Sequence, residues 1–223
     1  MQDACLRRLV EELSVRAFIE EAASAQPIPG GGGMAALCAA AAAAMMEMTL
    51  RLTVGKKKFA DVDAEAGELL GMVAPIRARL VDLIVLDAAG YSKVATAFKL
   101  PRGTDEERSR RREQIKSAMT EAMDAPLEIL RCCSALGGVI GEVLRIGNPN
   151  LIGDVGVAAA TLPGAARAAG LNVLANIGAL CESESISARR DVADAVDAVE
   201  RICKDVAAKV EEKICPAQSP EST

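Results

Sequence analysis

Residues 29–54 read PGGGGMAALCAAAAAAMMEMTLRLTV and decide the fold. Alanine, leucine and methionine favour helix, so this stretch predicts one long helix from the tetraglycine to about Val54. A helix that is apolar nearly all round belongs at the centre of a helical bundle. Because the segment is mostly alanine and contains Glu47, we expect it to fall short of a membrane span.

The rest of the chain also reads as helix, and no stretch shows the alternating pattern of a strand. Ser14 is placed to cap a short helix, and a capping box at Thr104 and Glu107 begins another. Further helices are predicted over about 61–99 with a kink near Pro75, from Pro126 to about Ile146, after Gly153-Asp154, and over about 185–213. The prediction is an all-α, up-and-down helical bundle, with a single domain over residues 1–215 and a mobile polar tail over 216–223.

Composition excludes several classes of protein. The net charge of −5 makes nucleic acid an unsuitable partner, and aromatic residues are only 2% of the chain, with no Trp. The seven cysteines are odd in number and form no C-x-x-C pair, so neither a disulfide framework nor a zinc site is indicated. The charged N-terminus does not resemble a signal peptide. We therefore expect a cytoplasmic protein with no membrane partner and no metal.

The chain has no histidine, which constrains its chemistry. Any acid–base step must use a carboxylate, Lys, Tyr, Cys or water. Along the helix predicted over 61–99, apolar residues recur at intervals of four and three from Leu69 to Leu83, and the next position in that seam is Asp87. A carboxylate in a buried seam is costly and has a shifted pKa, as acid–base groups do. Tyr91 lies one turn further on the same side of the helix.

Other polar features have two interpretations each. The tetraglycine Gly30–Gly33 is either a helix N-terminus that accepts an anion or carbonyl oxygen, or a flexible loop. Lys56–Lys58 and Arg108–Arg112 are either solvated surface or basic patches that recruit a polyanionic small molecule. Asn150 and Asp154 are either functional or caps of the following helix. Asn172 and Asn176 share one helix face and are either functional or satisfied core amides.

The ordered set of motifs resembles the formiminotransferase-cyclodeaminase family, whose cyclodeaminase domain is related to standalone methenyltetrahydrofolate cyclohydrolases. Residues 29–37 resemble the family's P-G-G-G-S-x-A-A-L signature, and residues 52–59 resemble L-T-x-G-K-K-x-[YF]. Asp87-Ala-Ala-Gly-Tyr91 resembles D-x-x-A-Y, and Leu100–Thr104 resembles L-P-K-x-T. Residues 147–158 resemble G-N-x-N-x-x-S-D-x-G-V-A, and Asn172-Val-x-x-Asn176 completes the set.

The resemblance covers roughly residues 14–200 and implies a helical bundle that dimerises and binds folate in a cleft between helices. The chain departs from the family pattern at Gly33 and Gly153, where the family has Ser, and at Gly90, where it has Ala. Losing two hydroxyls could remove hydrogen bonds to substrate, so the resemblance supports the fold more strongly than the activity. The formiminotransferase domain is absent from this chain.

The resemblance and the charge of the substrate together imply roles for the matched residues. Asp87 is expected to stabilise a cationic folate carbon and orient or deprotonate water, with Asp154 as a second carboxylate. Tyr91 and Lys58 are candidate proton donors or substrate anchors. Expected substrate-binding residues are the four glycines Gly30, Gly31, Gly32 and Gly33, together with Lys56, Asn148, Asn172 and Asn176. Arg108–Arg112 could meet the glutamate tail of the folate.

The implied reaction is hydrolysis of 5,10-methenyltetrahydrofolate to 10-formyltetrahydrofolate, with no cofactor beyond the folate substrate. Two alternatives remain open at this point. One is cyclodeamination of 5-formiminotetrahydrofolate with release of ammonia, and the other is a catalytically silent helical dimer that binds folate or a partner protein. A homodimer is expected in each case.

Overall fold

The computed structural model describes residues 14–215. Within that range the chain consists of helices joined by turns and loops, with no strand. Seven α-helices are named α1 (Val15–Ala22), α2 (Gly31–Arg51), α3 (Asp63–Phe98), α4 (Asp105–Glu121), α5 (Asp124–Ile146), α6 (Ile152–Asn176) and α7 (Glu182–Ile214). Short 3-10 turns cover Lys57–Val62, Pro149–Leu151 and Ile177–Ala179. The all-α prediction is confirmed, and the predicted mobile tail over 216–223 lies outside the described residues.

Side-chain contacts show that the long helices alternate in direction. Asp87 of α3 meets Gly33 near the start of α2, whereas Arg77 meets Glu47 near its end, so α2 and α3 are antiparallel. Asn172 of α6 lies beside Gly31, and the loop before α6 bonds to Thr53 just after α2. Thus α6 also runs antiparallel to α2. The up-and-down arrangement predicted from the sequence is therefore the observed one.

The predicted helix boundaries are right to within a few residues. The Ala-rich helix ends at Arg51 rather than Val54, because the chain turns there and Gly55 takes the left-handed φ of +72°. The next helix begins at Asp63, after a 3-10 turn, rather than at Asp61. It runs without a break through Pro75. The break expected at Pro126 lies instead at Ala122 and Met123, between α4 and α5. Pro126 itself lies in the first turn of α5, where proline is tolerated.

The core lies where α2, α3, α5, α6 and α7 meet. The apolar face that the sequence predicts for α7 is buried at every one of its positions: Val192, Val196, Val199, Cys203, Val206 and Val210. The seam of α3 is buried at Leu69, Val73, Leu80 and Leu83, and its extension is less buried than the spacing predicts. Phe98, the last residue of α3, is 52% exposed, and the Arg111 guanidinium of α4 lies over its ring.

Helix α2 is central, but the bundle does not cover it completely. It is the one described helix long and apolar enough to cross a membrane, although the sequence analysis expected it to fall short of that. In the fold, 61% of its most apolar window is buried, as in the core helix of a globular domain. Its Glu47 is buried and is paired with Arg51 and Arg77. Burial raises the pKa of Glu47, but hydrogen bonds from the two guanidinium groups leave that pKa below its ordinary value.

Candidate active site

A cleft of about 390 Å³ opens where α2 begins. Three segments line it: the turn over Pro27–Gly32, the part of α3 from Asp87 to Val94, and the end of α6 at Asn172–Asn176. Ala122 and Pro126 close the side next to α5. Helices α3 and α6 run antiparallel to α2. Their C-terminal parts, which lie far from Pro27–Gly32 in sequence, therefore pack beside the N-terminus of α2.

Asp87 is the carboxylate that lines this cleft. Its side chain is half-buried, and its Oδ2 accepts a hydrogen bond from the Gly33 backbone N–H at 3.0 Å. Burial raises the pKa of Asp87 above its ordinary value, and the hydrogen bond from Gly33 opposes that rise. The apolar spacing along α3 predicts that Asp87 lies in an apolar helical interface. The structure places Asp87 in such an interface, at the edge of a cleft.

The glycines before α2 differ in the space around them. A Cβ built on Gly32 would lie 1.9 Å from Oδ1 of Asp87, so a side chain there would displace the carboxylate. At Gly31 a Cβ would come within 3.3 Å of the Asn172 amide. At Gly33 the nearest atoms, from Ile84 and Pro29, are 3.6 Å away, an ordinary contact. Close approach of Asp87 therefore requires glycine at 32, whereas position 33 has room for the Ser found in the family.

Asn172 and Asn176 line the cleft beside this turn. The side-chain nitrogen of Asn172 donates to the backbone oxygen of Ala168 at 2.8 Å, and that of Asn176 donates to the backbone oxygen of Asn172 at 3.1 Å. These bonds match the interpretation of satisfied amides. They use one N–H of each side chain and leave its carbonyl oxygen as an acceptor. The interpretation of satisfied amides is therefore confirmed, and a functional role for the two carbonyl oxygens stays a prediction.

Tyr91 lies one helical turn after Asp87 and also lines the cleft. Its side chain is 44% exposed. A phenol at this position can donate a proton or a hydrogen bond to a ligand that Asp87 also contacts. Asp87, Tyr91, Asn172, Asn176 and the tetraglycine, here called the cleft group, are thus gathered in one place.

The other four predicted residues, Lys56, Lys58, Asn148 and Asp154, lie at the far end of α2. A helix of 21 residues is about 30 Å long, so Lys56 and Lys58 are separated from Gly31 by about that distance. Both lysines are exposed, and the Lys58 ammonium lies 5.5 Å from the centre of the Phe59 ring. Asp154 is half-buried in the first turn of α6, 18 positions before Asn172. We call Lys56, Lys58, Asn148 and Asp154 the loop group. Within one chain, none of these four residues lines the cleft.

The loop group has a buried anchor that the sequence analysis missed. Thr53 is fully buried, donates from Oγ1 to the Thr49 carbonyl at 2.8 Å, and accepts from the Asn148 backbone N–H at 2.9 Å. Asn148 in turn accepts from the Asn150 backbone N–H at 3.0 Å. Thr53 fixes the loop before α6 against the end of α2. The sequence signal for this anchor is a polar residue, Thr53, within an apolar run.

The basic cluster Arg108–Arg112 lies on α4, away from the residues that line the cleft. Arg108 pairs with Asp105 and donates to the carbonyls of Arg102 and Gly103. Arg111 stacks 5.6 Å from the centre of the Phe98 ring. These contacts hold the turn between α3 and α4. Within residues 14–215, no group of three or more cysteine and carboxylate side chains is placed to hold a metal ion.

Comparison with known proteins gives consistent matches. A family model described as formiminotransferase-cyclodeaminase matches residues 14–195. The chain is 35% identical over 163 residues to a methenyltetrahydrofolate cyclohydrolase of Methylorubrum extorquens, covering 73% of this chain and 78% of that protein. It is 32% identical over 166 residues to the formimidoyltransferase-cyclodeaminase of Rattus norvegicus, covering 74% of this chain but only 31% of that longer protein. The crystal structure of a formiminotetrahydrofolate cyclodeaminase from Thermotoga maritima matches with a TM-score of 0.73 and 25% identity, covering 92% of this chain and 96% of that one.

Proposed function

The chain belongs to the formiminotransferase-cyclodeaminase family, and on that premise we propose that it is a folate one-carbon enzyme that hydrolyses 5,10-methenyltetrahydrofolate to 10-formyltetrahydrofolate. The observation that carries this proposal is the Asp87 carboxylate, held at the edge of the cleft by the Gly33 amide. The similarity to a cyclohydrolase of comparable length supports the choice of reaction.

The charge of the substrate explains why a carboxylate suits this reaction. The methenyl carbon bridges N5 and N10 of the folate and carries positive charge, which a nearby anion stabilises. A water oxygen bonds to that carbon while Asp87 accepts one water proton. The carbon–N5 bond then breaks, the hydroxyl proton passes to N5, and the carbon keeps its oxygen as a formyl group on N10. One proton is released overall. The raised pKa of Asp87 makes its carboxylate a better base for this step.

The rest of the cleft group orients the folate. The side-chain carbonyls of Asn172 and Asn176 can accept hydrogen bonds from ring N–H groups, and the glycine turn allows a flat ring to approach the backbone closely. The phenol of Tyr91, which lines the same cleft, can donate a proton or a hydrogen bond to a folate bound there. The hydroxyls missing at Gly33 and Gly153 are not required by this arrangement, because Asp87 is held by a backbone N–H.

A second candidate reaction is cyclodeamination of 5-formiminotetrahydrofolate. The specific support is the likeness to the Thermotoga maritima cyclodeaminase, which extends over 92% of this chain. In this reaction N10 attacks the formimino carbon, and the imino nitrogen takes up the N10 proton and one proton from solvent. The bond from the carbon to that nitrogen then breaks, and ammonia leaves as the cationic methenyl bridge forms. The same carboxylate would stabilise the same cationic carbon, as product rather than substrate.

The proposal has further parts. Lys56, Lys58, Asn148 and Asp154 remain proposed functional residues on the strength of their motifs. We propose a cytoplasmic homodimer that uses no cofactor beyond its folate substrate and binds neither nucleic acid nor membrane. The described cysteines are all free, as is typical of a reducing compartment, and the net charge of −5 disfavours polyanions.

The test is to add purified protein to methenyltetrahydrofolate and, separately, to formiminotetrahydrofolate, and to follow the methenyl absorbance. Faster loss than in buffer supports the hydrolase. Faster gain with release of ammonia supports the deaminase instead. No change in either mixture would contradict both reactions and leave the silent helical dimer. Boiled protein and Asp87→Asn are the controls.

A further inference from the structure

The cleft has two polar edges and two faces made of small residues. Helices α3 and α6 pack on opposite sides of α2 and α5, and they form the edges. One edge carries the carboxylate and the phenol of α3, and the other carries the two asparagine amides of α6. The turn Gly30–Gly32 forms one face, and Ala122 with Pro126 forms the face across from it, at the start of α5. We call this arrangement the slot.

The slot suits a flat heterocycle. Its faces consist of backbone and small side chains, so both sides of a ring can approach them closely. Its hydrogen-bonding groups lie along the two edges, where the N–H and oxygen groups of a flat ring also lie. The volume of about 390 Å³ is near the lower end of the range of small-molecule sites, about 300 to 1,000 Å³, which fits a closely held ring.

Gly90 keeps the slot narrow. It lies in α3 between Asp87 and Tyr91, and a Cβ built on it would come within 3.3 Å of the Ala122 Cα and 3.6 Å of the Ala122 Cβ. A distance of 3.3 Å to a backbone atom is closer than an ordinary van der Waals contact, and a Cα cannot rotate away as the end of a side chain can. Only glycine at position 90 therefore allows Ala122 to lie this close to α3.

The face that Gly90 contacts follows a helix with little buried surface. Ala122 comes directly after α4, and Ala118 is the one buried residue among the 17 of α4. An ion pair of 2.8 Å joins Lys93 of α3 to Glu121 beside this contact, but both side chains are exposed, so the pair contributes little to stability. Helix α3 is packed against both α2 and α5. An added side chain at position 90 is therefore expected to displace the end of α4 rather than α3.

We propose that Gly90 determines the class of folate that the slot accepts, selecting a folate bridged between N5 and N10 over a folate substituted at N5 alone. This inference rests on the proposed function. The delocalised N5–carbon–N10 bridge is planar and holds N10 close to the plane of the neighbouring ring, so a bridged folate is thin. A substituent on N5 alone leaves the arm at N10 free to rotate, and such a folate needs a wider slot.

The width of the slot also bears on the two candidate reactions. The bridged folate is the substrate of hydrolysis, whereas the N5-substituted folate is the substrate of deamination. A narrow slot binds the substrate of hydrolysis in preference to that of deamination. Because Ala122 lies close to α3 only while position 90 is glycine, this residue favours hydrolysis over deamination.

The role of Gly90 is tested by measuring the dissociation constants of two folates with the full chain by isothermal titration calorimetry. One probe is 5,10-methenyltetrahydrofolate in weakly acidic buffer, where its bridge is stable. The other is 5-formyltetrahydrofolate, a stable folate substituted at N5 alone. Wild-type protein is expected to bind the bridged folate at least about tenfold more tightly, the lower end of the effect of one misfitting group in a close-fitting pocket.

Two variants widen the slot in different ways. Gly90→Ala is expected to move the Ala122 face outward and to reduce the ratio of the two dissociation constants about tenfold. Ala122→Gly removes the methyl group of that face without adding one to α3, and it should change the ratio in the same direction even if Gly90→Ala folds poorly. Gly138→Ala is the matched control, because a Cβ there is exposed and meets nothing within 4 Å. It should keep the wild-type ratio.

An unchanged ratio in both folded variants, or equal weakening of both folates, would overturn the role of Gly90. So would a wild-type protein that binds 5-formyltetrahydrofolate as tightly as the bridged folate. Failure of the proposed function gives a different result. If the wild-type protein turns over neither folate in the absorbance assay, the proposed reactions fail, and calorimetry still shows whether the slot selects the bridged folate. If the wild-type protein is active and the ratio is unchanged in both variants, the reaction stands and the assignment of Gly90 is wrong.

Discussion

At the scale of single residues, the charge of Asp87 and its position depend on different neighbours. Burial and the hydrogen bond from the Gly33 N–H set the pKa of the Asp87 carboxyl. The absence of a side chain at Gly32 gives the carboxylate the space it occupies. The two properties can therefore be altered separately, one by changing the acid and the other by changing the glycine beneath it.

Asp87→Asn should remove activity without destabilising the fold. We expect turnover to fall by at least about 100-fold, the usual contribution of a general base. Asn keeps an acceptor for the Gly33 N–H and removes a charge whose burial is unfavourable. Because folding raises the pKa of Asp87, its favourable contribution is present below the ordinary aspartate pKa and is lost as pH rises through the raised value. At pH 7 the variant should therefore unfold at the same temperature as wild type or higher, as calorimetry would show.

The same group should govern the acid limb of the pH–rate profile. If the Asp87 carboxylate is the base, kcat/KM falls as pH drops through a pKa above the ordinary aspartate value of about 3.9. The limb is measured on wild-type protein from pH 4 to pH 8, with helical content checked at each pH. A flat profile over this range in folded protein would contradict the role of base.

Gly32→Ala should displace Asp87 and reduce activity on the order of 100-fold, because a Cβ at this position overlaps the carboxylate and small displacements of a reacting group cost about that much. The matched control is Gly33→Ala, where the added Cβ makes ordinary contacts at 3.6 Å. Steady-state kinetics should show near-wild-type rates for the control. Equal losses in both variants would indicate a general effect on the first turn of α2 rather than on Asp87.

At the scale of helices, α6 and α7 pack closely because glycines of α6 face valines of α7. A Cβ on Gly170 would lie 2.8 Å from Cγ1 of Val192, and a Cβ on Gly156 would lie 2.8 Å from Cγ1 of Val210. The β-branched side chains of α7 have little freedom to move aside. These contacts fix the end of α6 that carries Asn172 and Asn176.

Gly170→Ala should destabilise the protein by about 1–3 kcal/mol, the usual cost of overpacking a core. Gly138→Ala in α5 is the opposite case, since a Cβ there meets nothing within 4 Å and the position is exposed. It should stabilise the protein by about 0.5–1 kcal/mol through helix propensity. Urea unfolding of both variants measures the difference. A stabilised Gly170→Ala would show that α7 moves aside freely.

Helix content and order were predictable from sequence because alanine-rich runs, caps and apolar periodicity are local signals. The exact ends of the helices were less predictable from the sequence. The turn after Arg51 depends on how Gly55 and Asp63 meet, with the Gly55 N–H donating to the Asp63 carboxylate at 2.6 Å. The exposure of Phe98, the last residue of α3, is set by tertiary packing rather than by the spacing of apolar residues along the helix.

The candidate site was predictable only in part. Asp87 stood out because a charge interrupted an apolar seam, and the structure places it in a cleft with Tyr91, Asn172 and the glycines. The motifs gave no position for Lys58 or Asp154 relative to that cleft. The length of α2 did carry this information, since residues before and after a helix of 21 residues lie at opposite ends of an up-and-down bundle.

At the scale of the whole molecule, the chain leaves an apolar stripe uncovered along α2 and the residue that follows it. The stripe consists of Met34, Cys38, Ala41, Met45, Met48 and Leu52, all exposed or half-buried. If a second copy covers it, stability depends on protein concentration, because anything that binds only the folded state stabilises it. The unfolding temperature should rise with each tenfold increase in wild-type concentration and stay constant for Ala41→Glu. Differential scanning calorimetry over a hundredfold range measures this. A constant wild-type value at concentrations around the dissociation constant would contradict pairing.

Cys38 gives the uncovered stripe of α2 a thiol that can be labelled chemically. Its thiol is exposed in the single chain and lies three residues before Ala41, in the stripe that a second copy would cover. An alkylating reagent should reach it rapidly in a dilute solution and slowly in a concentrated one, while Cys181, exposed on another part of the chain, reacts at one rate throughout. Peptide mass spectrometry of briefly alkylated, unaltered protein would thus show how much of it is paired, even in crude extract.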